Sequence, residues 1–214
     1  KGEIVAGKGW NEVIDSADPL SAIDEIRLRY RSAPMPELPV FHGGWVGYFG
    51  YDTVRYVEAR LANSAPPDDL GLPDISLILA EEVVIFDNLA GALTLVVNTD
   101  SDAADAYPDA VERLDELEMQ LGLQGEALEP VSLEPSDTQA IEAEMRFSTD
   151  RATFERWVER VKAYIYAGDV MQVVPSQRIK LPFSRSPLTL YRALRNLNPS
   201  PYPVSYTHLR AHET

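Results

Sequence analysis

The amino-acid sequence predicts an α+β fold, with a mixed or antiparallel sheet and flanking helices in an N-terminal domain, followed by the start of a second domain. Three observations carry that expectation. Strand-like and helix-like segments come in runs rather than in strict alternation, which disfavours a doubly wound parallel sheet. Three strand-sized apolar stretches follow one another between residues 75 and 98 with short connections. One segment poor in apolar residues and rich in Pro, Ser and acids, residues 122–146, divides the chain.

Asp18 before Pro19 reads as an N-cap followed by proline at the first helical position. Leu20, Ile23, Ile26 and Tyr30 then fall on one helical face, and Pro34, Pro36 and Pro39 end the helix in a stiff connector. Residues 41–50 are aromatic and glycine-rich, with no regular element assigned, and 51–58 read as a short helix. Strands are expected over 75–80, 82–87 and 92–98, the last two joined by a hairpin-type connection ending in Gly91. Tyr107, Ala110, Val111, Leu114, Leu117 and Leu121 form the stripe of a helix over 107–121. After the linker, Thr149 and Asp150 can cap a helix carrying Phe154, Trp157, Val158, Val161, Tyr164 and Ile165, with Gly168 as its stop. A strand interrupted at Pro175 is expected within 170–180, and a second short helix over 188–197.

Composition excludes several classes of function. The 214 residues carry 19 Lys and Arg against 34 Asp and Glu, a formal charge of −15. Such an excess repels phosphate backbones and anionic lipid, so neither nucleic acid nor a membrane surface is an expected partner. There is no cysteine, which removes disulfides, thiolate nucleophiles and cysteine-ligated metals. No apolar run approaches the roughly 20 residues of a membrane span. The chain opens on Lys1, Gly2 and Glu3, without an initiator methionine or the apolar stretch of a signal peptide. A cytoplasmic protein missing its true start is the expectation.

The last twelve residues, 203–214, back-translate with one choice of codons into a string that resembles a sequencing-library adaptor. They are expected to be a non-native tail and are set aside from the motif reading. The tail holds His208 and His212, leaving His42 as the one remaining histidine. A histidine metal cluster or a Ser-His-Asp triad cannot be assembled from it.

Three stretches remain as candidates for chemistry. Gly44, Gly47 and Gly50 match neither a dinucleotide fingerprint nor a phosphate loop; close backbone packing accounts for them. Residues 168–178 set Gln172, Ser176, Gln177 and Arg178 beside an apolar run, and a polar network or the edge of a ligand site fits equally. Asn198, Pro199, Ser200, Pro201 and Tyr202 make a rigid extended or turn segment after a helix. That suits a helix stop, and equally the recognition of a small flat ligand.

At these residues the sequence closely resembles the anthranilate synthase component I family of chorismate-utilising enzymes. The likeness lies in residues 43–58, 70–74, 168–178 and 190–202 and keeps a consistent order from about Asp18 to Tyr202. It implies an enzyme, a lyase of tryptophan biosynthesis that converts chorismate and ammonia to anthranilate and pyruvate. The ammonia comes from glutamine through a glutamine amidotransferase partner, component II. The resemblance also implies Mg2+ as cofactor and L-tryptophan as feedback inhibitor. The family's catalytic and magnesium-binding groups lie beyond the matched region, so no catalytic or metal-binding residue is assigned to this chain.

What carries over by resemblance is the feedback segment Asn198, Pro199, Ser200, Pro201 and Tyr202, with Pro201 and Tyr202 expected to make direct contact. Pro203 stands where the family continues with methionine. The implied domains are 1–121 for the N-terminal domain, 122–146 for a linker and 147–202 for the beginning of the chorismate-binding domain, with 203–214 as the tail. Taken alone, the fragment is expected to be inactive. Alternatives are aminodeoxychorismate synthase component I, which shares fold and substrate, and a non-catalytic tryptophan-binding regulatory module.

Overall fold

Asp18 starts the first long helix as its side-chain chemistry requires. In the computed structural model its Oδ1 accepts from the amides of Leu20 and Ser21 at 3.1 and 3.2 Å, with Pro19 at the first helical position. The structure describes residues 2–5, 11–14, 16, 18–125, 127–132, 138–201 and 203–206. They fall into two compact units, Lys1–Glu126 with Tyr206–Thr214, and Ala127–Ser205. The fold class is the expected α+β: every described strand pairs antiparallel with one partner, and helices stand between the resulting ladders in chain order.

In the first unit, β1 (Gly2–Val5) pairs with β2 (Asn11–Ile14). Helix α1 (Pro19–Arg29) follows, and its Ala22 and Ile26 are buried. The glycine-rich stretch, given no element from sequence, is a strand. β3 (Gly44–Phe49) pairs with β4 (Ile75–Ala80), with Gly47 opposite Leu77. Gly47 is required there, because a Cβ would collide with the Ser76 carbonyl oxygen and press on Leu77 Cα. A 3-10 turn at Tyr51–Thr53 leads into α2 (Val54–Val57), the expected short helix.

The strands β5 (Glu82–Asp87) and β6 (Ala92–Val97) form the expected hairpin. Asp87 Oδ1 accepts from the amides of Leu89 and Ala90, both at 2.9 Å, and so holds the turn. Helix α3 (Ala106–Gly122) lies against β6. Arg113 of α3 grips both carboxylate oxygens of Glu82 on β5, at 2.7 and 3.0 Å, and reaches Glu116 at 2.6 Å. These carboxylates, Glu82 first, raise the pKa of the Arg113 guanidinium above its ordinary value.

Asn98 connects the two ladders. Its side-chain amide donates to His42 O at 2.9 Å and Glu81 O at 3.1 Å, and its backbone amide donates to Glu81 O at 2.7 Å. The carbonyl before β3 and the one between β4 and β5 are thereby satisfied by a single residue.

The second unit contains α4 (Thr138–Glu144), β7 (Arg146–Phe147), α5 (Arg151–Ala167), β8 (Ile179–Lys180) and α6 (Pro187–Leu197). Helix α4 lies within the segment expected to be a featureless linker. Helix α5 is capped as expected: Asp150 Oδ1 accepts from Thr153 N at 2.9 Å, and Gly168 at φ 79° provides the left-handed stop. The strand expected over 170–180 is reduced to Ile179–Lys180, paired with β7. Just before it, Pro175 has no amide to give a ladder, and Arg178 N donates to the Ser148 hydroxyl at 3.3 Å.

Candidate functional site

The feedback segment expected from sequence begins where α6 ends. Ser186 caps the start of α6 by accepting from Thr189 N at 3.1 Å, and Pro187 opens the helix. Glu129 fixes this helix from one side. Its carboxylate takes the Thr189 hydroxyl at 3.1 Å and lies 3.8 Å from the Arg185 guanidinium, while its carbonyl accepts from Arg192 at 2.6 Å. At the other end Asn198 closes the helix by donating its amide to Leu194 O at 2.8 Å. Ser200 N then donates to Asn198 O at 2.7 Å, making a tight turn between the two prolines.

A cavity of about 510 Å³ opens at this helix end, lined by Tyr191, Arg195, Pro199, Ser200, Pro201, Pro203 and Val204. The structure therefore brings Pro199, Ser200 and Pro201 together, and it makes Asn198 the helix cap rather than a lining group. Tyr202 lies outside the described residues, as do His208 and His212 of the tail. Tyr191 and Arg195 were not singled out from sequence. Their i, i+4 spacing on α6, one turn before Pro199, was the available signal. Pro203 and Val204 belong to the segment read as non-native, and they supply part of the wall.

Residues 168–178, left open between a polar network and a ligand edge, contain a network at Gln177. Its Oε1 accepts from the Ser148 hydroxyl at 2.7 Å and from Thr149 N at 3.2 Å, and its Nε2 donates to Thr149 O at 2.7 Å. Gln177 thus clamps the chain entering α5. A second cavity of about 370 Å³ is lined by Glu144, Arg146, Lys180, Leu181 and Pro182. There Arg146 is spent on the carbonyls of Ala143 and Met145, at 3.0 and 3.2 Å.

The two other segments that carry the resemblance, 43–58 and 70–74, are bound to each other. Tyr48 donates to Pro73 O at 3.0 Å, Gly50 N to Asp74 O at 2.7 Å, and Tyr56 to Asp74 Oδ2 at 2.6 Å. The Asp74 hydrogen bond, followed by burial, pushes the Tyr56 phenol up to about 12. His42 faces Pro39 O at 3.0 Å and meets no carboxylate among the described residues. Among the described residues, no group of three or more His, Cys, Asp and Glu side chains is placed to hold a metal ion. No helix there is long and apolar enough to cross a membrane.

Comparison with known proteins agrees with this architecture. The chain is 48% identical over 191 residues to anthranilate synthase component 1 of Pseudomonas aeruginosa, covering 89% of this chain and 38% of the relative. It is 44% identical over 200 residues to the protein of the same name from Neisseria gonorrhoeae, covering 91% of this chain and 39% of that one. The chain thus spans well under half the length of these curated relatives. Its fold matches the crystal structure of anthranilate synthase component I from Streptococcus pneumoniae with a TM-score of 0.72 and 29% identity, covering 94% of this chain and 44% of that one. The profile of the chorismate binding enzymes matches residues 3–212, and the chain accordingly belongs to the chorismate binding enzyme family.

Proposed function

We propose that this chain is the N-terminal part of an anthranilate synthase component I. The observation that carries the reading is identity of 44–48% over about nine-tenths of the chain to proteins of that name. The same relatives favour anthranilate over aminodeoxychorismate as the product. The whole protein would take chorismate and ammonia to anthranilate and pyruvate in the cytoplasm, with the ammonia delivered by component II, a glutamine amidotransferase.

The parts divide as the sequence implies: an N-terminal domain over 1–121, a linker over 122–146, the start of the chorismate-binding domain over 147–202, and added sequence over 203–214. Mg2+ is the metal of the whole enzyme, but the described residues do not fit a magnesium site. The role proposed for the residues in hand is regulatory. Asn198 sets the end of α6, Pro199, Ser200 and Pro201 wall the adjoining cavity, and with Tyr202 they form one side of the L-tryptophan feedback site.

The test starts from the source DNA. Sequencing through the codon for Tyr202 should show a frame continuing beyond it in place of Pro203. The complete frame, expressed and supplied with chorismate, ammonium and Mg2+, should release anthranilate, read by its fluorescence, and L-tryptophan should suppress that signal. Accumulation of aminodeoxychorismate without anthranilate would overturn the reading. A source frame that encodes 203–214 and then stops would remove the enzymatic part of it.

A further inference from the structure

The ladder of β7 and β8 sets two positive charges against each other. It pairs two residues of each strand, and its register puts Arg146 directly opposite Lys180. Like charges in direct cross-strand register destabilise a ladder, and here one other pair, Phe147 with Ile179, stands beside them. In a chain with 34 acids against 19 Lys and Arg, a carboxylate opposite either cation would be the ordinary arrangement.

Neither cation is neutralised locally. The carbonyls of Ala143 and Met145 take only Nη1 of Arg146. They hold the guanidinium in place and leave its Nε and Nη2 without a partner among the described residues. The Lys180 ammonium has none there either. Both residues line the cavity of about 370 Å³ together with Glu144, Leu181 and Pro182. Glu144 forms no ion pair with either cation, although it is the one acid of this wall. No residue of 203–214 borders the cavity. Its volume is within the range of small-molecule sites, roughly 300–1,000 Å³.

The wall therefore carries an excess of positive charge in a chain of net charge −15. A guanidinium with two nitrogens left to donate binds oxygens in pairs, and an ammonium across the ladder adds a point charge. A phosphoryl dianion answers both cations, whereas a carboxylate answers one. Leu181 and Pro182 supply an apolar flank.

We propose that this cavity binds a small phosphate monoester whose organic part is apolar. Arg146 and Lys180 hold the phosphoryl oxygens, Leu181 and Pro182 cover the organic part, and Glu144 opposes the bound charge and so weakens the grip. The site shares no residue with the turn at 198–202, and the inference stands or falls without the feedback reading.

The experiment titrates the chain with phenyl phosphate at constant ionic strength. Nuclear magnetic resonance follows the Arg146 side-chain Nε–H and the Lys180 backbone amide. Phenyl phosphate should move both resonances to saturation. Inorganic phosphate, which lacks the apolar part, and benzoate, which carries a single charge, should each bind more weakly. Lys180→Gln should weaken phenyl phosphate about tenfold, the loss of one charge-assisted contact. Glu144→Gln should tighten it about two- to threefold. The second variant leaves the opposed pair intact, so it reports even if the first disturbs the ladder. Without ligand, Lys180→Gln should melt no lower than the parent, because it removes a repulsion. Phenyl phosphate should raise the parent's midpoint more than the variant's.

Benzoate or inorganic phosphate binding as tightly as phenyl phosphate overturns the ligand assignment. An affinity that ignores both Lys180→Gln and Glu144→Gln overturns the site, as does silence of both resonances to phenyl phosphate.

Discussion

Tyr56 donates its phenol to Asp74 Oδ2 at 2.6 Å, across 18 positions of sequence. With Gly50 N on Asp74 O and Tyr48 on Pro73 O, the bond ties the helical end of the glycine-rich stretch to the segment that feeds β4. Two stretches that resemble the family in sequence are thus partners in structure, and their likeness is explained here by packing rather than by chemistry.

The pH dependence of that bond follows from its direction. The phenol is pushed up to about 12 from an ordinary value of 10.0, first by the hydrogen bond to Asp74. The folded state therefore holds this proton more tightly than the unfolded chain. The contribution is fully present below pH 10 and is lost as pH rises through about 12. In an absorbance titration at alkaline pH, one of the ten tyrosines should ionise late, and Asp74→Asn should bring it back among the others. Tyr56→Phe should cost about 1 kcal/mol at neutral pH, towards the low end because the site is partly open to water. No late phenol in the native chain would refute the assignment.

Gly47→Ala tests the close approach of β3 to β4. A methyl group there must displace the Ser76 carbonyl, which is backbone and already engaged in the ladder. The expected cost is about 1–3 kcal/mol, seen as a lower thermal midpoint. Gly44→Ala is the informative contrast. Its added Cβ meets nothing, but its φ of 121° strains any side chain, so it too should lower the midpoint, through backbone conformation rather than collision. A Gly47→Ala chain as stable as the parent would mean that the two strands sit further apart.

Much of this architecture was legible because it is written locally. Asp18 with Pro19, Asp150 with Gly168, and the 107–121 stripe each specify a helix within a few residues, and each helix is where they put it. β3 was hidden because Trp45, Val46, Tyr48 and Phe49 put apolar groups on both faces, while the glycines interrupt any period of two. The strand expected within 170–180 is shorter than expected, Ile179–Lys180 only, for the complementary reason. Val170, Val173 and Val174 have strand character, but Pro175 removes a ladder donor, and the partner of Gln177 is the start of a helix. In the candidate site, the proline turn was legible and Arg195 was not, because a lone arginine on a helix gains meaning only from the cavity it borders.

Gln177 should prove structural. Gln177→Ala removes all three of its hydrogen bonds to Ser148 and Thr149 and should cost about 1–3 kcal/mol. Amide exchange should rise first in the opening turn of α5 and leave α3 unaffected. Gln177→Glu keeps the acceptor but loses the donor to Thr149 O, so it should recover part of the loss. Protection of α5 that is unchanged in Gln177→Ala would show that the helix start does not depend on this side chain.

Acid should unfasten the same helix start by another route. The Thr153 hydroxyl and amide bind the Asp150 carboxylate and lower its pKa, and Ser21 does the same for Asp18. A depressed folded pKa contributes stability that is present above the ordinary carboxylate value of 3.8 and is lost as pH falls through the lower folded value. Helical ellipticity should therefore decline below about pH 4 as α1 and α5 fray from their first turns. Asp150→Asn, which keeps a capping oxygen without the charge, should flatten the part of that decline due to α5. A native chain whose helicity is flat down to pH 2 would show that neither cap carries this linkage.

Both α5 and α6 leave large apolar residues in water. On α5, Trp157, Tyr164 and Ile165 are 42%, 39% and 41% exposed, although their helical spacing is that of a buried face. On α6, Leu190, Leu194 and Leu197 are exposed in the same way. Single exposed apolar residues are ordinary, but runs of them along two helices favour association. The chain should therefore bind a hydrophobic dye at neutral pH and elute as concentration-dependent oligomers. Leu194→Glu with Leu197→Lys should reduce both signals without lowering the melting temperature, because neither side chain is buried. Trp157→Ala should reduce the dye signal and blunt a tryptophan emission maximum that starts towards the red. A sharp, cooperative melt from a monodisperse monomer that ignores the dye would show that these faces are covered within the chain itself.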